Sequence, residues 1–205
     1  MGLYEKYVLP RLVDFVCGGK HFTKQRRKVV PHARGRVLEV GFGSGLNLPH
    51  YDERRIDRLW ALEPSRSMWA LGRRRAAEAA FDVEYLCADA EAIPLESGSA
   101  DTVLVTYALC TIPQVETALS EIRRVLSGEG TLIFCEHGAA PDPSVRAWQD
   151  RVNPYWKAVG GGCHLNRDAP ALLSAAGFRL ENLESMYLPG WKVATFNTWG
   201  RAVIS

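Results

Sequence analysis

The sequence lacks any pair of cysteines in a C-x-x-C spacing. Its five cysteines are odd in number and scattered, which argues against a disulfide framework and against a zinc site. We therefore expect no bound metal and a reducing, cytoplasmic location. The five stand at Cys17, Cys87, Cys110, Cys135 and Cys163.

Long hydrophobic runs are also missing, since no stretch approaches the roughly 18 apolar residues of a membrane span. The first 20 residues carry Glu5, Lys6, Arg11 and Asp14, which interrupt the apolar region that a signal peptide needs. We expect attachment to a membrane to be peripheral at most, through residues 1–30.

The chain has no strong charge of either sign, with 25 basic and 23 acidic residues among 205. This balance gives no reason to expect a nucleic-acid partner. The basic runs KQRRK (24–28) and RRR (73–75) are typical of solvated helix faces, and anionic lipid headgroups are an alternative contact.

Apolar strands alternate with amphipathic helices through the middle of the chain, a pattern typical of a parallel sheet covered on both faces. The length suits a single domain, 1–205. We divide it into an N-terminal cap helix (1–20), a cofactor-binding core (34–137), a helical insertion (138–167), and a C-terminal helix with closing strands (168–205). Predicted strands are 36–40, 58–63, 83–88, 100–107, 130–137, 179–188 and 192–205, and predicted helices include 46–52, 66–80 and 113–127. Thr23 is expected to cap a basic helix, and Asp168 the C-terminal one.

A glycine-rich turn follows the first predicted strand, with Gly41, Gly43 and Gly45 behind Glu39. A dinucleotide fingerprint needs its third glycine at position 46, which is leucine, and the Gly-Lys-Ser/Thr of a phosphate-binding loop is absent. A carboxylate in the turn would repel a diphosphate but attract the ammonium and sulfonium of S-adenosylmethionine (SAM). The alternative is a strand–helix turn that needs glycine for its geometry alone.

Acidic residues also follow the next two strands. Glu63 ends the second strand, where a carboxylate can accept both ribose hydroxyls, and Asp89-Ala90 follow the third, where an acid can bond an adenine amino group. The carboxyl ends of neighbouring parallel strands lie at one edge of a sheet, where such folds bind ligands.

Four segments together resemble the class I SAM-dependent methyltransferases: VLEVGFGSG, ALEPSRSM, ADAEAIPLESGSADTVLVTYALCTIP and EIRRVLSGEGTLIFCEH. The resemblance implies an α/β, Rossmann-like, mostly parallel seven-stranded sheet with helices on both faces, an antiparallel last strand and a small helical cap. It implies SAM as cofactor. The cofactor-binding set that we predict is Glu39, Gly41, Gly43, Gly45, Glu63, Pro64, Asp89, Ala90 and Tyr107.

The C-terminal third is similar to a narrower group, the membrane-associated alkyl thiol methyltransferases of animals, through CEHGAA, NPYWKAVGGGCHLNRDA and LLSAAGF. This resemblance implies S-methylation of a small apolar thiol. Methylation of a phospholipid amine or a quinone-type lipid is the alternative acceptor chemistry. A non-catalytic cofactor-binding scaffold, with the basic runs as its contact surface, is the alternative to an enzyme. The sequence leaves the oligomeric state open.

His137 and His164 are the catalytic candidates, because each stands near the predicted ligand side and can take a proton or contact the acceptor. The alternative for both is a histidine that only bonds the backbone. Tyr107 and Cys110 are expected to line the methyl-transfer region unless they serve packing alone. An arsenite-binding role for Cys17, Cys110 and Cys163 is disfavoured by their spacing. Trp148, Tyr155 and Trp156 either wall an acceptor pocket or belong to the core.

Overall fold

A seven-stranded sheet forms the centre of the molecule. The computed structural model describes residues 3–205, with the backbone alone for residues 5 and 6. The strand order is β3-β2-β1-β4-β5-β7-β6, in which β7 runs antiparallel to both of its neighbours and the other pairs are parallel. The predicted fold class is therefore confirmed, including the antiparallel last strand. The strands are β1 (Gly35–Val40), β2 (Ile56–Leu62), β3 (Val83–Leu86), β4 (Ala100–Thr106), β5 (Leu126–His137), β6 (Phe178–Tyr187) and β7 (Phe196–Ile204).

Seven α-helices accompany the sheet in the described part of the chain. They are α1 (Leu9–Cys17), α2 (Lys20–Val29), α3 (Arg66–Ala77), α4 (Val115–Val125), α5 (Pro143–Val159), α6 (Ala169–Ala175) and α7 (Lys192–Thr195), and a π-helical turn, Tyr4–Val8, precedes α1. Among residues 3–205, none of the helices has the length and apolar character that crossing a bilayer demands.

Alternate residues of the central strands bury their side chains on opposite faces of the sheet. Val37 belongs to one buried cluster and its neighbour Leu38 to the other, and Leu104 and Val103 of β4 divide in the same way. Because side chains alternate along a strand, a strand covered on both faces is apolar at most of its positions. This requirement explains the mainly hydrophobic sequences of β1 and β4, in which Glu39 and Thr102 are buried polar exceptions.

Three predicted elements were wrong in detail. Residues 46–52 hold a single 3₁₀ turn, Leu48–His50, instead of a helix. Gly19, not Thr23, caps α2, and the Thr23 hydroxyl donates to the Gly18 carbonyl oxygen inside the helix. The last predicted strand begins only at Phe196, because α7 occupies 192–195.

The change of direction in the strand order between β1 and β4 determines where the functional site lies. From β1 the chain moves outward to β2 and β3, then returns to β4 on the other side of β1. Loops leaving β1 and β4 therefore diverge and leave a crevice at the carboxyl ends of these strands, the usual ligand position in open α/β sheets.

Candidate active site

The glycine turn after β1 depends on glycine at Gly41. This residue has φ +72°, and a Cβ atom there would lie 2.5 Å from the Cβ of Ala108. The turn is also held to the neighbouring strand, since the Gly41 and Phe42 amides both donate to the Leu62 carbonyl oxygen. The glycine turn can therefore approach the segment after β4 this closely only because residue 41 has no side chain.

A cavity of about 350 Å³ opens beside this turn. It is bordered by the carboxyl ends of β1, β2 and β4 and by the segment after β3. Seven residues of the predicted cofactor-binding set line it: Gly41, Gly43, Glu63, Pro64, Asp89, Ala90 and Tyr107.

Gly45 and Glu39 do not line this cavity. A Cβ on Gly45 would lie 3.0 Å from both Phe42 and Leu48, so this glycine shapes the turn. Glu39 borders a smaller cavity of about 60 Å³ that shares Gly41, Gly43 and Tyr107 with the first.

Glu63 is fixed at the end of β2 by two backbone amides. Its carboxylate oxygens accept hydrogen bonds from the Gly43 amide at 2.9 Å and the Ser65 amide at 2.8 Å. Burial raises the pKa of Glu63, and these two amide donors oppose the rise. Each carboxylate oxygen has a second lone pair, so the group can accept further donors from the cavity.

Glu39 is fully buried at the bottom of the smaller cavity. It accepts hydrogen bonds from the Asn47 side chain at 2.9 Å and from the Tyr51 hydroxyl at 2.6 Å. Burial raises the pKa of Glu39 to about 7, although both hydrogen bonds and the Arg26 charge favour its ionised form.

Arg26 is a site residue that the sequence did not reveal. It belongs to the run KQRRK, which we expected to form a solvated helix face, yet it is only 4% exposed and lines the smaller cavity with Glu39. Its guanidinium donates to the Cys17 carbonyl oxygen, lies 5.2 Å from the centre of the Tyr107 ring, and keeps a buried Nε without a partner. Helical periodicity could have indicated this burial, because Arg26 lies on the same face of α2 as the buried residues Gln25 and Val29.

An apolar lid covers the larger cavity. Leu9, Pro10 and Val13 of α1 line it from one side, and Gly160 and Gly161 after α5 line it from another. The N-terminal segment and the helical insertion therefore both border the cavity.

Arg75 of α3 fastens this lid. Its guanidinium donates to the Asp14 carboxylate at 3.0 Å and to the Ser44 carbonyl oxygen at 2.7 Å, so it links α1 to the glycine turn.

The aromatic residues of α5 do not line the cavity, which was one of the two roles that the sequence left open for them. Trp148 is exposed, Tyr155 is 77% exposed, and neither belongs to the core. Trp156 is half-buried, with its indole N–H turned inward and unpartnered. The two glycines after α5 approach the cavity more closely than these bulky side chains.

Neither catalytic candidate lines the cavity. The His164 ring forms a 3.0 Å hydrogen bond between its Nδ1 and the Cys110 carbonyl oxygen, which corresponds to the backbone-bonding alternative. His137 Nε2 lies 3.2 Å from the Cys163 sulfur. Cys110 is buried behind Tyr107, whose hydroxyl donates to the Asn197 side chain at 2.8 Å.

Comparison with known proteins gives a consistent family. The methyltransferase-domain family matches residues 38–134. Human thiol S-methyltransferase TMT1B is 32% identical over 178 residues, 83% of this chain and 72% of that protein. Phosphatidylethanolamine N-methyltransferase of Cereibacter sphaeroides is 31% identical over 147 residues, 69% of this chain and 71% of that protein.

A solved methyltransferase structure has the same fold. A methyltransferase of Haloferax volcanii, solved in complex with the Trm112 methyltransferase activator, superposes with a TM-score of 0.72. It covers 98% of this chain and 95% of its own length at 17% identity. At that identity the likeness concerns the fold alone.

Proposed function

The chain belongs to the class I SAM-dependent methyltransferases, and from this premise we propose that it transfers the methyl group to a small apolar thiol. The observation that carries the proposal is a single cavity with a polar cofactor side and an apolar lid. The match to a human thiol S-methyltransferase over most of both chains supports the choice of acceptor.

The residues on the polar side suit the parts of SAM. Glu63 lies where ribose hydroxyls can donate to a carboxylate, and Asp89 borders the same cavity at the end expected for an adenine amino group. Gly41 and Gly43 leave the space that a Cβ would fill, 2.5 Å from Ala108 and 3.3 Å from Met68. We assign the nucleoside half of SAM to the larger cavity.

The smaller cavity suits a zwitterion. Arg26 matches a carboxylate and Glu39 an ammonium group, and these opposite charges border one space beneath the turn. We assign the amino-acid end of SAM to it. When bound, SAM supplies an electrophilic methyl group on a positively charged sulfonium.

The apolar side suits an acceptor that needs little help to ionise. A thiol with a pKa near 8.5 is already a few per cent thiolate at neutral pH, so a dedicated base is not required. None of the histidines within residues 3–205 lines either cavity. We therefore assign His137 and His164 no proton transfer, and the chain's task is to orient the acceptor and exclude water.

The proposal is tested with purified protein, methyl-labelled SAM and a panel of acceptors. The panel contains alkyl thiols of increasing length, a hydrophilic thiol, phosphatidylethanolamine vesicles and a lipid quinol. We expect kcat/KM to rise with thiol apolarity, as it should for a lid formed by Leu9, Pro10 and Val13. Transfer to the lipid amine or the quinol with all thiols inert would contradict the thiol assignment.

A lipid acceptor is the second candidate, favoured by the outer face of α1. Leu3 and Phe15 are 79% and 81% exposed, and Leu12 and Val16 on the same segment are also exposed. With the phospholipid-methylating relative, this face supports peripheral membrane contact through residues 1–30 of a cytoplasmic protein. Co-sedimentation with anionic vesicles tests the contact. A Phe15→Ser variant should bind less than wild type, whereas equal binding of both would contradict it.

A further inference from the structure

Three metal-ligating side chains that are remote in the sequence converge beside the lid. Cys110 follows β4, His137 ends β5 and Cys163 lies in the loop after α5. The two sulfurs and a ring nitrogen all lie within 4.8 Å of one another, and the Cys163 sulfur is 3.2 Å from His137 Nε2. Spacing along the chain argued against such a site, because the two cysteines are in separate segments.

The surroundings of this cluster are polar and incompletely satisfied. Glu136, next to His137, is fully buried, and its Oε2 has no partner while Oε1 accepts from the Ala108 and Leu109 amides. The buried Trp156 indole nitrogen also lacks a partner. Buried polar atoms without partners are rare in folded proteins and call for an explanation.

The ligand atoms of the cluster suit a soft cation. Cysteine sulfur binds soft metal ions strongly once it is deprotonated, and a neutral imidazole nitrogen binds the same ions.

We propose that Cys110, His137 and Cys163 form a binding site for a thiophilic divalent cation of the zinc class. A tetrahedral zinc ion sets its sulfur and nitrogen ligands about 3.6 Å apart and two sulfur ligands about 3.8 Å apart. The Cys163–His137 separation of 3.2 Å is about 0.4 Å from the sulfur–nitrogen value, and the other separations, all within 4.8 Å, need changes of at most about 1.2 Å. Two sulfurs and one imidazole exclude the hard cations magnesium and calcium, which take oxygen ligands.

A metal at this position would fasten the lid to the sheet. The Cys163 amide donates to the Gly160 carbonyl oxygen, and Gly160 and Gly161 line the cavity. The His164 amide donates to the Cys110 carbonyl oxygen, so the loop already meets the segment after β4. The site adjoins residues that line the cavity and lies outside the residues assigned to SAM.

Titration with cobalt(II), a spectroscopic substitute for zinc, tests the site in fully reduced full-length protein. We expect one equivalent to bind with a thiolate-to-cobalt charge-transfer band, and zinc to displace it. Cys163→Ser should lose most of the band and weaken binding at least 100-fold, because it removes one of the two sulfur ligands. Cys87→Ser, the control at an exposed cysteine remote from the cluster, should behave as wild type.

A second variant protects the test against misfolding. In His137→Gln the two sulfurs should still bind cobalt, with a shifted visible spectrum and a reduced affinity. Thermal unfolding gives an independent readout. Zinc should raise the Tm of wild type and of Cys87→Ser but not that of Cys163→Ser. Wild-type protein without a charge-transfer band, or Cys163→Ser binding cobalt as tightly as wild type, would overturn the proposal.

Discussion

Glu63 is the single side chain whose loss should weaken SAM binding most clearly. Its carboxylate borders the cavity and also anchors the Gly43 amide. Glu63→Ala should weaken binding by about 1.5–3 kcal/mol, roughly 10- to 150-fold in Kd, the range for hydrogen bonds to a charged group. Calorimetry with SAM measures this change. Glu96→Ala, at an exposed carboxylate away from the cavities, is the control, and equal Kd values for the two variants would remove Glu63 from the site.

Arg26 offers a prediction about one end of the cofactor. Arg26→Ala should raise the Kd for SAM at least tenfold, because a buried guanidinium beside a carboxylate contributes about 1.5–3 kcal/mol. Binding of 5′-methylthioadenosine, which lacks the amino-acid end, should change little in the same variant. Arg27→Ala alters the exposed neighbour in α2 and should leave both affinities unchanged. A parallel loss for both ligands would show that Arg26 acts through the fold alone.

Some site residues could be found from the sequence and others could not. The difference is whether their position depends on neighbouring residues in the chain or on contacts between distant segments. Glu63, Asp89 and the glycine turn were predictable because each lies close to the end of a strand, so their positions depend on local pattern. Arg26 was not, because its burial depends on packing of α2 over the turn. The meeting of Cys110 with Cys163 depends on the fold of the 52 residues between them, and no spacing rule describes it.

At the scale of elements, Arg75 helps to hold α1 in position over the cavity. The Arg75 guanidinium donates hydrogen bonds both to the Asp14 carboxylate of α1 and to the Ser44 carbonyl oxygen. Its neighbour Arg74 forms a surface ion pair with Glu78. Arg75→Ala should raise the acceptor KM several-fold with a smaller change in kcat, because the lid loses its anchor while the polar side of the cavity remains. The half-exposed ion pair itself contributes less than about 1 kcal/mol to stability.

The control for this prediction lies on the same helix. Arg74→Ala removes only an exposed i,i+4 pair, which contributes little to stability, and should leave KM unchanged. Steady-state rates with an apolar thiol compare the two variants. A KM for Arg75→Ala equal to that of Arg74→Ala would mean that α1 does not shape the acceptor site.

The strands and the larger helices were predictable, whereas the short connections were not. Mainly apolar segments of strand length mark β1, β2 and β4, because both faces of a parallel sheet must be covered. Residues 46–52 are of types compatible with a helix, but Pro49 and the glycine turn leave room for only one 3₁₀ turn before β2. The start of α2 at Lys20 follows from Gly19, whose extended backbone supplies the cap position without a side chain.

At the scale of the whole molecule, the buried Glu39 makes stability depend on pH. Asn47 and Tyr51 donate to its carboxylate, Arg26 favours the ionised form and Glu63 opposes it, but burial dominates and raises its pKa to about 7 from 4.5. The folded state therefore binds this proton more tightly than the unfolded state does. Stability from this group is fully present below pH 4.5 and is lost as the pH rises to 7, by about 3 kcal/mol in all.

Urea unfolding at several pH values between 4.5 and 8 measures this loss in the absence of SAM. Glu39→Gln carries no charge at this position and should show a smaller decline across that window than wild type. Identical pH slopes for the two proteins would mean that Glu39 ionises in the fold as easily as in water.

Methyl transfer to a thiol requires that the glycine-turn cavity binds SAM. Two glycines with nearly the same backbone angle make a matched pair, since Gly41 has φ +72° and Gly98 has φ +69°. An alanine at either position bears the same backbone strain, about 1–2 kcal/mol. Only at position 41 does the new Cβ meet another atom, Ala108 Cβ at 2.5 Å, whereas nothing lies within 4 Å at position 98.

The most direct measurement is therefore the rate at which label passes from methyl-labelled SAM to the sulfur of an apolar alkyl thiol in wild type, Gly41→Ala and Gly98→Ala. We predict that wild type and Gly98→Ala form the labelled thioether at similar rates. Gly41→Ala should lose at least 100-fold, because the turn cannot move away from the segment after β4 without closing the cavity. Equal rates for the two variants, or no labelled thioether from wild type, would contradict the account.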